Sequence, residues 1–172
     1  MLFRKFLISF SLAILTGCGF QPIYSAGTNS VFEIEMRDIE IEPIENRIGQ
    51  QLRNQLEQQI TPKGRPRFSK YLLKVKLSEA KQGLAVKKSE IATRTNLNFS
   101  ASYTVKDKIT KDVLTSGSSR MVTSYNILTE TFATLMAEKD ARKRAVREIS
   151  VDITSKIAAF FKLDRNKPKK AK

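Results

Sequence analysis

Two hydrophobic periods alternate along this chain. From Val31, apolar Phe32, Ile34 and Met36 alternate with Glu33, Glu35 and Arg37, and Ile39 and Ile41 then alternate with Asp38, Glu40 and Glu42. Period two marks a half-buried strand, so residues 31–41 read as one strand, with a bulge or a strand end where the phase shifts at Asp38. Pro43 suits the first turn of a helix and Glu45 its positive end. Ile44, Ile48, Leu52, Leu56 and Ile60 then recur every four residues on one stripe, and Thr61-Pro62-Lys63-Gly64 ends the helix.

Period two returns over 70–79, with Tyr71, Leu73, Val75 and Leu77 inward and Lys70, Lys74, Lys76 and Ser78 outward. Residues 81–88 read as a basic loop or hairpin tip. A third strand spans 93–106, with Leu97, Phe99, Ala101, Tyr103 and Val105 on one face. Asp107 to Asp112 is a charged turn, and a fourth strand runs from Val113 to Tyr125. The last element is a helix over 130–162, where Phe132, Leu135, Met136, Ala145, Val146, Ile149, Ile153, Ile157 and Phe160 repeat at three and four. Short connections between consecutive strands imply an antiparallel meander. The fold predicted is therefore α+β: a four-stranded, mainly antiparallel sheet with two helices packed on one face, in the order β-α-β-β-β-α. It forms one domain over 31–163, followed by a charged tail, 164–172, expected to be disordered.

The amino-terminal segment follows neither period. Phe6 to Leu15 is apolar except for Ser9 and Ser11, Arg4 and Lys5 precede it, and Leu15-Thr16-Gly17-Cys18 follows. The run falls short of the about 20 apolar residues that span a bilayer. With its basic flank and small-residue end it reads as a secretory signal, residues 1–17, removed before Cys18. Cys18 is then the lipidated residue, and the alternative is an uncleaved signal anchor with a free thiol. Gly19, rather than Asp, points to the outer membrane. Residues 18–30 form a leash with Phe20, Ile23 and Tyr24 available for docking.

Composition narrows the chemistry. The chain has 31 basic and 17 acidic residues, no histidine, no tryptophan and the single Cys18. Histidine-based triads and imidazole or thiolate metal sites have no residues to use, and no phosphate-binding glycine loop occurs, so no enzyme, cofactor or metal is expected. Losing Arg4 and Lys5 with the signal lowers the net charge from +14 to +12. For an exported protein that charge favours an anionic lipid or glycolipid over nucleic acid. The acids are segregated: Glu33, Glu35, Asp38, Glu40, Glu42 and Glu45 share their span with Arg37 alone among basic residues.

The outward positions of strands three and four are mostly uncharged. Asn96, Asn98, Ser100, Ser102 and Thr104 on one, and Ser116, Ser118, Arg120 and Ser124 on the other, fit enclosure in polar surroundings such as a barrel lumen. A solvated face of β-favouring Ser and Thr reads the same way.

Leu-Thr-Gly-Cys-Gly-Phe-Gln-Pro-Ile-Tyr at 15–24, Ser-Tyr-Asn-Ile-Leu at 124–128 and Phe-Ala-Thr-Leu-Met-Ala-Glu-Lys-Asp-Ala-Arg-Lys-Arg-Ala at 132–145 carry a family resemblance. In these segments the chain resembles the LptE lipopolysaccharide-assembly lipoproteins, in a form similar to those of alphaproteobacteria. The resemblance implies a non-enzymatic, lipid-anchored protein at the periplasmic side of the outer membrane. Such a protein sits inside the LptD β-barrel, helps it assemble and assists lipopolysaccharide delivery. It also implies lipopolysaccharide contact near the tip after strand two and near the start of the last helix, where Lys87, Lys88 and Lys139 fall. Solvated lysines are the other reading of those positions. A stand-alone lipid-anchored module that binds another anionic envelope polymer fits the same features.

Overall fold

In the computed structural model the described residues are 35–62, 64, 66–84 and 94–165. Period two fails where its phase shifts. Residues 35–37 are helical and Asp38 is a turn, so among the described residues of this stretch the strand is Ile39–Ile41 (β1), and residues 31–34 of the predicted strand lie outside the described residues. Met36 and Ile39 are both buried. Three residues apart, they share one side of a helical turn, whereas a continuous strand would send them to opposite faces. The Asp38 carbonyl accepts the N–H groups of Lys70 at 2.9 Å and Tyr71 at 3.1 Å, which ties this turn to the start of the next strand.

The remaining elements are α1 (Asn46–Ile60), β2 (Tyr71–Leu84), β3 (Arg94–Asp107), β4 (Val113–Asn126) and α2 (Thr131–Arg165). The sheet order is β1-β2-β3-β4. β2, β3 and β4 form the antiparallel meander, while β1 pairs parallel to β2 from Ile39 opposite Tyr71 to Ile41 opposite Leu73. A helix-long crossover such as α1 is what a parallel pair requires, so the sheet is mixed. Leu114 is the extra residue where the β3–β4 register shifts, beside Val105 and Lys106.

Both helices lie on the same sheet face. α1 starts later than Pro43 suggests, because Asn46 takes a left-handed φ of 67°, which asparagine tolerates, and Glu45 caps the helix without a side-chain bond. Ile44 folds back over the first turn. A Cβ at Gly49 would stand 2.7 Å from the Ile44 Cγ2, so only glycine lets the two approach. Leu52, Leu56 and Ile60 carry the stripe into the core.

In α2, Ala141, Ala145, Val146, Ile149, Ile153 and Ile157 are buried against the sheet and α1. Phe161, rather than Phe160, completes the row, its ring centroid 4.9 Å from that of Tyr71. The first apolar positions of the predicted stripe are not part of the core: Phe132 is 73% exposed, Leu135 57% and Met136 39%. Periodicity tells which residues share a helix face, and no element of the described chain covers this stretch of it. Among the described residues no helix is long and apolar enough to cross a membrane.

Candidate functional site

Pairing fixes which side chains share the face away from the helices. Asn96 lies opposite Ser124, Ser100 opposite Arg120, Ser102 opposite Ser118 and Thr104 opposite Ser116. On the β2 side, Ser78 meets Ser100, Lys76 meets Ser102 and Lys74 meets Thr104. The two outward sets read from the sequence therefore form a single surface. β2, β3 and β4 place no carboxylate on it; its charges are Lys74, Lys76, Arg94, Lys106 and Arg120. Small hydroxyls and amides hold these strands at even height. Arg94 lies flat across them, its Nε donating to Ser124 Oγ at 3.1 Å and its Nη2 at 2.5 Å. Among the described residues, acids approach this face at the β1 side, where Glu42 stands 3.8 Å from Lys74 and Glu40 accepts from Lys108 at 2.5 Å and Ser69 at 2.6 Å.

The helix side is organised differently. Lys81, expected on a basic loop, is a strand residue, and its ammonium donates to both carboxylate oxygens of Glu138 at 3.2 Å. Arg142 joins them, 2.6 Å from Glu138 and 2.9 Å from Glu79, so charges from β2 and α2 close a network beside the core. Lys139, the next residue along, turns away from this network. It is exposed and lines a groove between the helices, with Lys143 and Arg147 on α2 and Gln51, Asn54, Gln55 and Gln58 on α1. The spacing of four that joins Lys139, Lys143 and Arg147 is visible in the sequence, but it has no meaning until α1 supplies the facing wall. Lys87, Lys88 and Cys18 lie outside the described residues, as do Phe20, Ile23 and Tyr24.

The Glu138 network makes stability depend on acid. Burial pushes this carboxyl up, but the Lys81 hydrogen bond and the charges of Arg142 and Lys81 outweigh it and hold the group below the ordinary carboxylate range. A depressed folded-state value contributes stability that is present above about pH 4.3, the unfolded value, and is lost as pH falls through the folded one. Glu138→Gln should therefore flatten the decline of the denaturation midpoint between about pH 5 and pH 3. A decline as steep as that of the wild type would show that Glu138 carries none of it.

Among the described residues no group of acids and cysteines is placed to hold a metal. The sequence matches the family model described as LptE, lipopolysaccharide-assembly, over residues 36–159, which takes in every described strand and most of α2. The chain belongs to the LptE family. LptE proteins are non-enzymatic lipopolysaccharide-assembly lipoproteins, so the chain has a role in lipopolysaccharide assembly as a membrane-associated lipoprotein.

Solved structures share the LptE fold. A protein described as a lipoprotein from Caulobacter crescentus superposes with a TM-score of 0.61 at 24% identity, over 76% of this chain and 95% of its own. A minor lipoprotein from Acinetobacter baumannii gives 0.57 at 17% identity, over 70% and 90%. The rare lipoprotein B from Shewanella oneidensis gives 0.57 at 9% identity, over 75% and 98%. Identity this low makes these likenesses of fold alone. No curated protein matches the chain.

Proposed function

We propose that this LptE-family chain is an outer-membrane lipoprotein that plugs the LptD β-barrel, assists its assembly and contacts lipopolysaccharide. The observation that supports the plug is the open sheet face, mostly polar although Val122 is exposed on it, and free of carboxylates on its three long strands. The lumen of an outer-membrane barrel is polar. Against such a wall, hydroxyl and amide groups find hydrogen bonds.

On this reading residues 1–17 are a signal peptide, Cys18 carries lipid, residues 18–30 tether the domain of 31–163, and 164–172 is a basic tail. Lys87, Lys88 and Lys139 contact lipopolysaccharide. The protein faces the periplasm from its anchor and needs neither cofactor nor nucleic acid.

Affinity purification of the lipidated chain from outer membranes in mild detergent tests the plug. The LptD barrel should come with it. Recovery of the chain alone would favour a stand-alone module for another anionic envelope polymer. The same preparation serves for intact mass, and an unmodified Cys18 or a retained Met1 would refute the anchor.

A further inference from the structure

Two loops at one end of the sheet carry the most exposed bulky apolar side chains of the described residues, Phe68 at 88% and Ile109 at 85%. Phe68 lies in the connection from α1 to β2, and Ile109 in the turn from β3 to β4. The Lys108 N–H donates to the Lys70 carbonyl at 2.8 Å and the Lys108 ammonium to Ser69 Oγ at 2.6 Å, so the two loops are fastened side by side. The Asp107 carboxylate accepts from the N–H groups of Ile109 at 2.8 Å and Thr110 at 3.0 Å, and Lys111 takes a left-handed φ of 66°. The exposure of Ile109 is therefore built into a hydrogen-bonded turn. Glu35, where the described chain starts, lies at the same end: its carbonyl accepts from the Asp38 N–H at 3.3 Å, and the Asp38 carbonyl accepts from Lys70. The described residues around the two tips, 35–40, 64, 66–70 and 107–113, hold five basic and five acidic side chains. In a chain with 31 basic and 17 acidic residues, apolar character rather than charge distinguishes this end.

We propose that this end docks on a phospholipid bilayer, with Phe68 and Ile109 inserted at the boundary of headgroups and acyl chains. The inference rests on the reading that Cys18 carries lipid, and it adds how the anchored domain stands on its membrane. Cys18 lies seventeen residues before Glu35. Such a tether reaches at most about 60 Å, and it keeps the bilayer at high effective concentration for the end where it enters. The tether alone permits other orientations. Two apolar tips beside its entry select this one, because insertion removes their surface from water. Balanced charge at the tips fits a zwitterionic surface, whereas an anionic one would favour a more basic side of the molecule. Docked this way, the fourteen-residue strands rise from the bilayer by about 45 Å at roughly 3.3 Å per residue. The open sheet face then stands upright, where a barrel wall can close round it, instead of lying on lipid.

The test uses the full lipidated chain in phosphatidylcholine vesicles. The protein has no tryptophan, so Phe68→Trp and Ile109→Trp each place a single fluorescent reporter at a tip. Val122→Trp places one on the open sheet face, where Val122 is 58% exposed. Both tip reporters should shift their emission to shorter wavelength and lose it to phosphatidylcholine brominated along its acyl chains, while the Val122→Trp reporter keeps its emission. Adding Ile109→Ser to Phe68→Trp should reduce the quenching, and raised salt should leave it unchanged. Tip reporters that brominated lipid leaves unquenched overturn the proposal. A shift without quenching does so as well, since protein, such as the segment with Phe20, Ile23 and Tyr24, would then cover the tips. Equal quenching of the Val122→Trp reporter overturns it too, because the domain would lie on its sheet. So does quenching that requires anionic lipid. Intact mass of the same preparation keeps the two readings distinct: a chain without lipid fails at the anchor, whereas a lipidated chain with unquenched tips fails at docking alone.

Discussion

Ile153→Asp is expected to leave the domain unfolded. Ile153 is fully buried where α2 lies on the sheet, between Ile149 and Ile157 of the same row. Removing a large apolar side chain from such a site costs about 2 to 5 kcal/mol. An ionised carboxylate left there without a partner costs several kcal/mol more. Together these match most of the roughly 5 to 15 kcal/mol that holds a domain folded. Ile153→Val, at about 0.5 to 1.5 kcal/mol, should remain folded and serves as the control. Thermal melts followed by circular dichroism decide it: an Asp variant that melts within a few degrees of wild type would mean that α2 does not seat on the sheet.

Gly117→Val should be the next most damaging change. Gly117 lies opposite Tyr103, and an added Cβ would stand 2.7 Å from the tyrosine hydroxyl and 2.9 Å from two ring carbons. The ring is buried, which also pushes its hydroxyl above the ordinary tyrosine value, so it has little room to retreat. Overpacking of this kind costs about 1 to 3 kcal/mol. Residues in contact should not be additive. A double-mutant cycle with Tyr103→Ala should therefore recover much of the loss, and strictly additive losses would show that the ring does not rest on Gly117.

The long strands and the order of elements are legible in the sequence because their apolar faces are continuous. Leu97, Phe99, Ala101, Tyr103 and Val105 admit one reading, and all five are buried. The open face is legible for the same reason, since alternation that sends these inward sends Asn96 through Thr104 outward. β1 is misread because apolar residues at spacing two on either side of Asp38 fit a strand as well as a turn, and only the burial of both Met36 and Ile39 separates them. The parallel pairing of β1 follows from the crossover by α1, a tertiary fact that no local pattern carries. The groove around Lys139 is half legible. Its cations are spaced for one helix face, but Gln51, Asn54, Gln55 and Gln58 belong to a helix more than eighty residues earlier in the chain. The exposure of Phe132, Leu135 and Met136 is hidden from the sequence, because an apolar stripe looks the same whether or not anything lies over it.

The place of α2 after the three paired strands sets the order in which the domain closes. The β2–β3 and β3–β4 hairpins join sequence neighbours, so they are the contacts a growing chain makes soonest. Their apolar face nevertheless stays open until Ala141 through Phe161 arrive, and the contact of Tyr71 with Phe161 ties the start of the meander to the last covered turn. A chain stopped within α2 would hold a paired sheet with one bare hydrophobic side, the kind of intermediate that aggregates. Until its final turns are released, the protein depends on whatever holds the nascent polypeptide to shield that side from its neighbours.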